Sequence, residues 1–251
     1  MNDLNQSDFI FMNNNKYNIL SFAFVSFIFL FNVSSCKKEI IAPPVPVGYS
    51  MTENFNSLSD AEDSGWVFIN NSQPLGSTTW QAGDGTLFPG YNTDAAASDY
   101  VAISASCSYP FYANGNFDPN TVISAWMLTP ILTVKNGDVI SFFTATTNPP
   151  AYIPEHLEVR ENPTGTDINV GNDTSSVGSY TQIVLSIDPS FTPGSYPEVW
   201  TQYQYTIAGV IAGTKTRFAF RYYKPINTLG FASYYYELGY IGIDAFAFTS
   251  N

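Results

Sequence analysis

Hydrophobic and polar residues alternate with a period of two along much of the chain after residue 49. In segment 202–207 the two tyrosines and the isoleucine share one face and the glutamines the other. Segment 217–222 places two phenylalanines and a tyrosine opposite two arginines, and segment 156–160 alternates in the same way. Segments 139–143 and 240–246 are apolar on both sides. This period predicts strands with one buried face, and the last two segments predict central strands.

Turn signals separate these strand segments, and the pattern as a whole predicts one all-β domain. Asn136-Gly137-Asp138, Pro193-Gly194 and Ala212-Gly213 lie between successive segments. No ten-residue window has strong helical periodicity, and no repeat of 20–50 residues is visible. Many short strands joined by long loops predict a sandwich of two sheets over residues 49–251. The stretch 83–120 is poor in strand pattern, and we expect it to form loops at one end of the sandwich.

Composition narrows the class of protein without naming an activity. The 251 residues contain 16% aromatic and only 12% charged side chains, which is typical of all-β extracytoplasmic domains. A formal net charge of −12 argues against a nucleic-acid partner, because no cationic stripe can replace phosphate counterions. Two cysteines cannot build a disulfide framework or a zinc cluster.

The N-terminal region carries the pattern of a secretion signal. Residues 19–31 form an uncharged apolar run that follows Lys16, and Val33-Ser34-Ser35-Cys36 comes next. The run is too short to cross a bilayer comfortably and fits a signal-peptide core. Met12 is an alternative start, because it gives a compact n-region with a single lysine.

Small residues before Cys36 resemble the lipobox of bacterial lipoproteins. The resemblance implies that residues 1–35 are removed and that Cys36 is acylated, which makes the membrane a partner through the N-terminal lipid. Residues 36–48 then form a proline-rich tether. The alternative is a plain signal peptide with an incidental cysteine. With Cys36 acylated, Cys107 has no partner for an internal disulfide, and we expect it to be a small buried residue rather than a reactive thiol.

An ordered set of short motifs runs through the whole mature domain. It comprises Glu53-Asn54-Phe55-Asn56-Ser57-Leu58, Gly65-Trp66, Ile69-Asn70-Asn71-Ser72, Pro74-Leu75-Gly76, Trp80, Ser124-Ala125-Trp126-Met127-Leu128-Thr129-Pro130, Leu157-Glu158-Val159-Arg160, Ser195-Tyr196-Pro197-Glu198-Val199-Trp200-Thr201 and Ile241-Gly242-Ile243-Asp244. The set resembles the choice-of-anchor J family, which is similar to the cleaved-adhesin domains of gingipain-type proteases. That resemblance implies a jelly-roll β-sandwich in a Bacteroidetes cell-envelope protein, here an outer-membrane lipoprotein. Whether the domain faces the surface or the periplasm stays open.

Catalytic constellations are weak in this sequence. His156 is the only histidine, and no Gly-x-Ser-x-Gly nucleophile elbow accompanies it, so we expect an exposed histidine at the end of a strand. Glu155, Glu158 and Glu161 flank one strand and fit a solvated face. No other carboxylate pair is notable by its spacing, although the many acids leave a glycoside hydrolase as an alternative.

A metal site is better motivated. Asp244 interrupts an apolar run, and a buried carboxylate needs a cation or hydrogen-bond donors. The resemblance to adhesin jelly rolls implies structural calcium, a hard cation that prefers oxygen ligands, with Glu53 and Asp244 at one site and Asp99 as a further candidate. The alternative is an ion pair between Asp244 and Arg217 or Arg221.

Aromatic residues supply the candidate ligand contacts. Tyr222-Tyr223 and Tyr234-Tyr235-Tyr236 could stack on sugars or fill the core. Trp80 and Tyr91 lie near the irregular stretch, and we expect these two at the surface. The sequence therefore predicts a non-enzymatic binding or adhesion module that recognises a glycan or a protein. The alternatives are an envelope glycoside hydrolase and a purely structural envelope lipoprotein.

Overall fold

Thirteen strands and one short helix are present in the computed structural model, which describes residues 49–91, 98–104, 107–108, 118, 120–147, 154–225 and 239–251. In chain order they are β1 (Met51–Glu53), α1 (Leu58–Asp63), β2 (Val67–Asn70), β3 (Gln81–Ala82), β4 (Val101–Ser104), β5 (Ile123–Leu128), β6 (Leu132–Val134), β7 (Val139–Thr146), β8 (Leu157–Glu161), β9 (Gln182–Ile187), β10 (Thr201–Thr206), β11 (Thr214–Thr216), β12 (Phe218–Lys224) and β13 (Tyr240–Thr249). The described residues all belong to a compact unit that spans Pro43–Asn251.

The strands form two antiparallel sheets. The first sheet has the order β10-β7-β13-β4-β3, and β1 also pairs with β13. The second sheet has the order β2-β5-β12-β8-β9, and a small ribbon is formed by β6 and β11. The prediction of an all-β sandwich of two antiparallel sheets is confirmed. The signal peptide, Cys36, the tether and Tyr234-Tyr235-Tyr236 lie outside the described residues, and no helix within the described ranges is long and apolar enough to cross a bilayer.

The hydrophobic core lies between the two sheets. Phe142 of β7 and Phe220 of β12 meet edge to face with ring centroids 4.9 Å apart, and Trp66 contacts Phe246 of β13 at 5.1 Å. All four side chains are at most 2% exposed. Burial of such side chains contributes about 1.5–3 kcal/mol each, so the alternating apolar positions hold the sheets together. Cys107 is fully buried in this core, as expected, and burial raises the pKa of its thiol to about 12.

Two sequence-based expectations about the layers are wrong. Stretch 83–120 contains β4, whose residues Val101, Ala102 and Ile103 are fully buried; a four-residue apolar strand leaves no alternation to recognise. The glutamates around β8 do not line a solvated face, because Glu155, Glu158 and Glu161 are all at most 6% exposed. The causes of burial differ between the two faces of the second sheet: Glu158 lies on the outer face, whereas Glu155 lies on the face toward the core.

A long loop, residues 163–181, covers the middle of the outer face of the second sheet. Tyr180 from this loop packs on Trp126 at 6.1 Å between ring centroids, and Thr174 accepts a hydrogen bond from Arg221 at 2.6 Å. Beneath the loop, Glu158 pairs with Arg160 at 2.6 Å and with Arg221 at 3.3 Å. Burial raises the pKa of the Glu158 carboxyl, but the two arginines outweigh it and lower the pKa overall. The middle of this face is therefore covered.

Candidate functional site

The outer face of the first sheet is open to solvent in its lower half, by which we mean the part from the level of Phe143 toward Ser141 and Ala247. We call it the open face and define it by Thr52, Tyr91, Ser141, Phe143, Gln202, Gln204 and Ala247. Pairing partners in an antiparallel sheet project to the same side, and the register places Gln204, Ser141, Ala247 and Thr52 in one row across β10, β7, β13 and β1. The row spans three strand spacings, about 14 Å.

The open face has a low floor and raised borders. Ser141 and Ala247 in the middle of the row have small side chains, whereas Gln202 and Gln204 on β10 are longer and exposed. The alternation predicted for 202–207 is confirmed, because Tyr203 and Tyr205 pack against the core while both glutamines point outward. By side-chain size the row is lower at Ser141 and Ala247 than at the glutamines, and we call this row, with Tyr91 beside it, the trough. Its side chains carry hydroxyl, amide and aromatic groups, and none bears a formal charge at neutral pH.

Tyr91 forms the upper border of the trough. Its ring lies on the ring of Phe143, with centroids 3.6 Å apart and an interplanar angle of 16°. The tyrosine remains 42% exposed. One aromatic face is thus supported from below by the sheet, and part of the side chain stays accessible. The expectation that Tyr91 lies at the surface agrees with this exposed fraction.

Segment 83–91 carries Tyr91 and covers the upper half of the same sheet. Phe88 stacks on Tyr100 at 5.0 Å and meets Trp200 edge to face at 5.4 Å. The indole N–H of Trp200 donates a hydrogen bond to the carbonyl of Pro89 at 2.8 Å. This packing fixes the segment on the sheet as far as Pro89. Trp200 therefore positions the segment that carries Tyr91.

Asp244 anchors the end of that segment. Its Oδ2 accepts a hydrogen bond from the backbone N–H of Tyr91 at 2.8 Å, and its Oδ1 accepts one from the N–H of Ala245 at 2.6 Å. Ala245 has a φ of 48° at a bulge in the pairing of β13 with β7. The predicted alternative, an ion pair with Arg217 or Arg221, is wrong: both arginines use their donors within or beside the second sheet.

The three predicted calcium ligands do not converge. Glu53 is opposite Phe246, which faces the core, whereas Asp244 lies on the outer side of the sheet. The Glu53 carboxylate accepts the N–H of Phe55 at 2.8 Å, and burial raises its pKa. Within the described ranges, no group of three or more Asp, Glu, His or Cys side chains is arranged to hold a metal ion. The residues present therefore do not fit one ion shared by Glu53 and Asp244.

Asp99 and Asp244 each place one oxygen near Gly90, the backbone carbonyl oxygen of Asp99 and the Oδ2 atom of Asp244. A Cβ built on Gly90 would lie 2.8 Å from the carbonyl oxygen of Asp99 and 3.5 Å from Oδ2 of Asp244. Asp99 is 7% exposed and Asp244 is fully buried. These two residues stay a predicted calcium pair, now without Glu53.

Trp80, the second aromatic candidate, needs correction. It is only 2% exposed and belongs to the core cluster, because it directly precedes β3 and that strand pairs with β4. Its ring is not available to a ligand. The exposed glutamines of β10 are the functional candidates that the sequence interpretation missed, since a polar outer face is the ordinary property of an edge strand.

The histidine does not form a catalytic triad. His156 Nε2 lies 3.0 Å from Ser186 Oγ, but the Nδ1 atom is buried and has no hydrogen-bond partner, so no acid orients the ring. His156 is 5% exposed, against the expectation of an exposed residue, because Phe191 and Tyr223 pack on its ring. Burial lowers the pKa of His156.

Comparison with solved structures gives three likenesses of low identity. The K1 cleaved adhesin domain of Lys-gingipain from Porphyromonas gingivalis is 21% identical, with a TM-score of 0.49 over 81% of this chain and 99% of that chain. TmCBM61, solved in complex with β-1,4-galactotriose, is 9% identical with a TM-score of 0.41 over 79% and 99%. The CBM22-2 xylan-binding domain of Paenibacillus barcinonensis Xyn10C is 14% identical with a TM-score of 0.40 over 80% and 99%.

No protein-family model matches the chain, and no curated protein matches it. The function of this chain has to be inferred from its own residues, because none of the three likenesses reaches a TM-score of 0.5.

Proposed function

We propose that the chain is a non-catalytic carbohydrate-binding module of the bacterial cell envelope, held at the membrane through a lipid on Cys36. The observation that carries the proposal is the open face, where an exposed tyrosine supported by Phe143 borders a row of uncharged polar side chains. The apolar side of a pyranose ring packs on an aromatic face, and amide and hydroxyl side chains exchange hydrogen bonds with sugar hydroxyls.

The ligand class follows from charge as well as from shape. The trough offers Gln202, Gln204, Ser141 and Thr52 as hydrogen-bonding partners, without a basic side chain among its defining residues. The chain as a whole has a formal charge of −12, which repels anionic polymers at moderate ionic strength. We therefore infer an uncharged glycan, bound along the row that crosses β10, β7, β13 and β1.

A protein ligand is less well supported by this surface. A protein-binding patch is expected to be contiguous and apolar, whereas the exposed residues in the row from Gln204 to Thr52 are polar. A glycoside hydrolase would need two carboxyl groups flanking an open cleft. Glu155, Glu158 and Glu161 are buried, and Glu155 and Glu158 are paired with cations. The geometry of these described residues supports binding rather than cleavage.

A structural calcium ion is part of the proposal only at Asp99 and Asp244. Carboxylate and carbonyl oxygens are the ligands that calcium takes, and both residues lie beside the segment that carries Tyr91. The ion would stabilise that segment and would not contact the sugar.

The proposal is tested by screening the purified protein against soluble uncharged and anionic polysaccharides by affinity electrophoresis, with chromatography of the incubated glycans. We expect retardation by at least one uncharged polysaccharide and no released sugars. Sugar release would favour the hydrolase instead. Failure to bind any glycan of the panel would contradict the carbohydrate-binding proposal and favour a structural or protein-binding component.

A further inference from the structure

A second cluster of polar side chains lies inside the sandwich, away from the open face. Glu155 lies two residues before β8 and Lys224 is the last residue of β12, and these two side chains and Tyr222 are at most 1% exposed. Tyr222 is opposite Leu157 in the β12–β8 register, and that pairing continued by two residues sets Lys224 opposite Glu155 on the core side. The two residues are cross-strand neighbours in a water-excluded site.

The contact between them differs from that of a well-satisfied ion pair. Lys224 Nζ lies 2.8 Å from Glu155 Oε2, yet Nζ makes no hydrogen bond of acceptable geometry, and Glu155 Oε1 has no donor. Oε2 accepts a hydrogen bond from the Tyr222 hydroxyl at 2.5 Å. A buried ammonium and carboxylate are costly unless their hydrogen bonds are satisfied. A covalent bond that removes both charges relieves that cost.

Gly239 leaves the space in which these groups meet. A Cβ built on this residue would lie 2.7 Å from Lys224 Nζ, 2.9 Å from Glu155 Oε1 and 2.9 Å from the Tyr222 hydroxyl oxygen. Any larger residue would push the amine and the carboxyl out of this position. The glycine therefore permits the nucleophile, the carboxyl group and a hydrogen-bond donor to share one small volume.

We propose that Lys224 and Glu155 are joined by an intramolecular isopeptide bond between Nζ and Cδ. A proton passes from the ammonium to the carboxylate, and the uncharged amine then attacks Cδ. The Tyr222 hydroxyl donates to Oε2, where negative charge develops; burial raises the pKa of Tyr222 and keeps it protonated. Oε1 leaves with its proton and one further proton from Nζ, so that one amide bond forms and one water is released.

Proximity makes this condensation feasible without an external reagent. The reacting groups are held on adjacent strands of one sheet, so the reaction is intramolecular and its effective concentration of amine is high. The released water escapes from the buried site. Hydrolysis of the new amide is then disfavoured, because water is excluded there. The cross-link would tie the start of β8 to the end of β12 in a domain whose one described cysteine, Cys107, is unpaired.

Trypsin digestion of the urea-denatured full chain tests the proposal by mass spectrometry. Cleavage after Lys135, Arg160 and Arg221 releases peptides 136–160 and 222–251, because the bond between Lys224 and Pro225 resists trypsin. We expect one linked species that is lighter than the sum of the two peptides by the mass of one water, with fragment ions that place the link at Glu155 and Lys224. Two separate peptides at their full sequence masses would overturn the proposal.

Two variants make the assignment specific. Lys224→Met removes the nucleophile, and we expect only the separate peptides. In Glu155→Gln the condensation with Lys224 would release ammonia instead of water. The linked product would therefore have the same mass as the wild-type linked product. If Lys224→Met does not fold, the wild-type digest still decides, because it needs only the native protein.

Discussion

The Oδ2 atom of Asp244 accepts a hydrogen bond from the backbone N–H of Tyr91 at 2.8 Å. A fully buried carboxylate on β13 thereby positions an exposed tyrosine that is 153 residues away in the sequence. The same side chain was expected from the sequence to bind a metal ion. The contact gives it a second role, which is to hold the upper border of the trough against the sheet.

Removal of the Asp244 carboxylate should destabilise the domain and weaken sugar binding together. In Asp244→Ala the N–H groups of Tyr91 and Ala245 lose their acceptor, at a cost of about 1–3 kcal/mol in the free energy of unfolding. Asp244→Asn keeps one acceptor oxygen and should lose less. Urea denaturation measures the free energy of unfolding of both variants. Equal stability of Asp244→Ala and the wild type would show that the carboxylate does not hold the segment.

A methyl group on Gly90 should displace Tyr91 with little effect on the core. The Cβ of Gly90→Ala would lie 2.8 Å from the carbonyl oxygen of Asp99, so the backbone must shift. We expect a loss of stability of about 1 kcal/mol and a weaker affinity for the glycan. Gly194→Ala is a useful comparison for stability, because a Cβ there meets no atom within 4 Å but carries the strain of a φ of 80°. Unchanged glycan affinity of Gly90→Ala would argue against Tyr91 as a contact.

Stability should fall as the pH drops below the ordinary pKa of histidine. Burial lowers the pKa of His156 below 6.5 in the folded state, so the unfolded state binds the proton first. The resulting loss begins near pH 6.5 and continues down to the lowered pKa of the folded state. Glu158, whose pKa is also lowered, adds a further loss that begins as the pH falls into the range in which unfolded carboxylates titrate and continues below it.

Urea denaturation at several pH values separates the two groups. His156→Gln should remove the part of the decline that begins near pH 6.5 and keep most of the acidic part, because the two arginines lower the pKa of Glu158 more than His156 does. His156 is the only histidine, so no other side chain of its type confuses the comparison. The same pH dependence in both proteins would rule out this linkage.

Chelation tests the predicted calcium pair. If calcium binds at Asp99 and Asp244, EGTA should lower the melting temperature of the wild type and have no effect on Asp244→Asn, whereas a substitution at Asp99 leaves its carbonyl oxygen in place. Glu53→Gln should keep its sensitivity to EGTA, because Glu53 lies on the other side of the sheet from Asp244. A wild-type melting temperature that is the same in calcium and in EGTA would exclude the ion.

The fold was more predictable than the site, for physical reasons that particular residues make clear. Tyr203 and Tyr205 followed from period-two alternation, because one face of β10 is buried and the other is open. His156 and Glu158 also alternate with apolar residues, yet both are buried. The cover over Glu158 comes from a loop whose sequence has no periodic signal, so alternation identified the face but not what lies on it.

The aromatic candidates illustrate the same limit. Trp80 and Tyr91 both lie near irregular segments, but pairing of β3 with β4 takes Trp80 into the core, and a hydrogen bond donated by the N–H of Tyr91 to Asp244 holds Tyr91 outside. Both outcomes depend on contacts between distant parts of the chain. The short apolar strand β4 was missed because four consecutive residues without alternation do not distinguish a strand from a loop.

The central claim is that the open face binds an uncharged glycan through Tyr91, and titration calorimetry with a glycan retained in the screen tests it most directly. Tyr91→Ala should lose about 2 kcal/mol of binding free energy, roughly a thirtyfold weaker affinity. Tyr49→Ala, which truncates another exposed tyrosine outside the open face, should bind like the wild type. Equal affinity of Tyr91→Ala and the wild type would contradict the account.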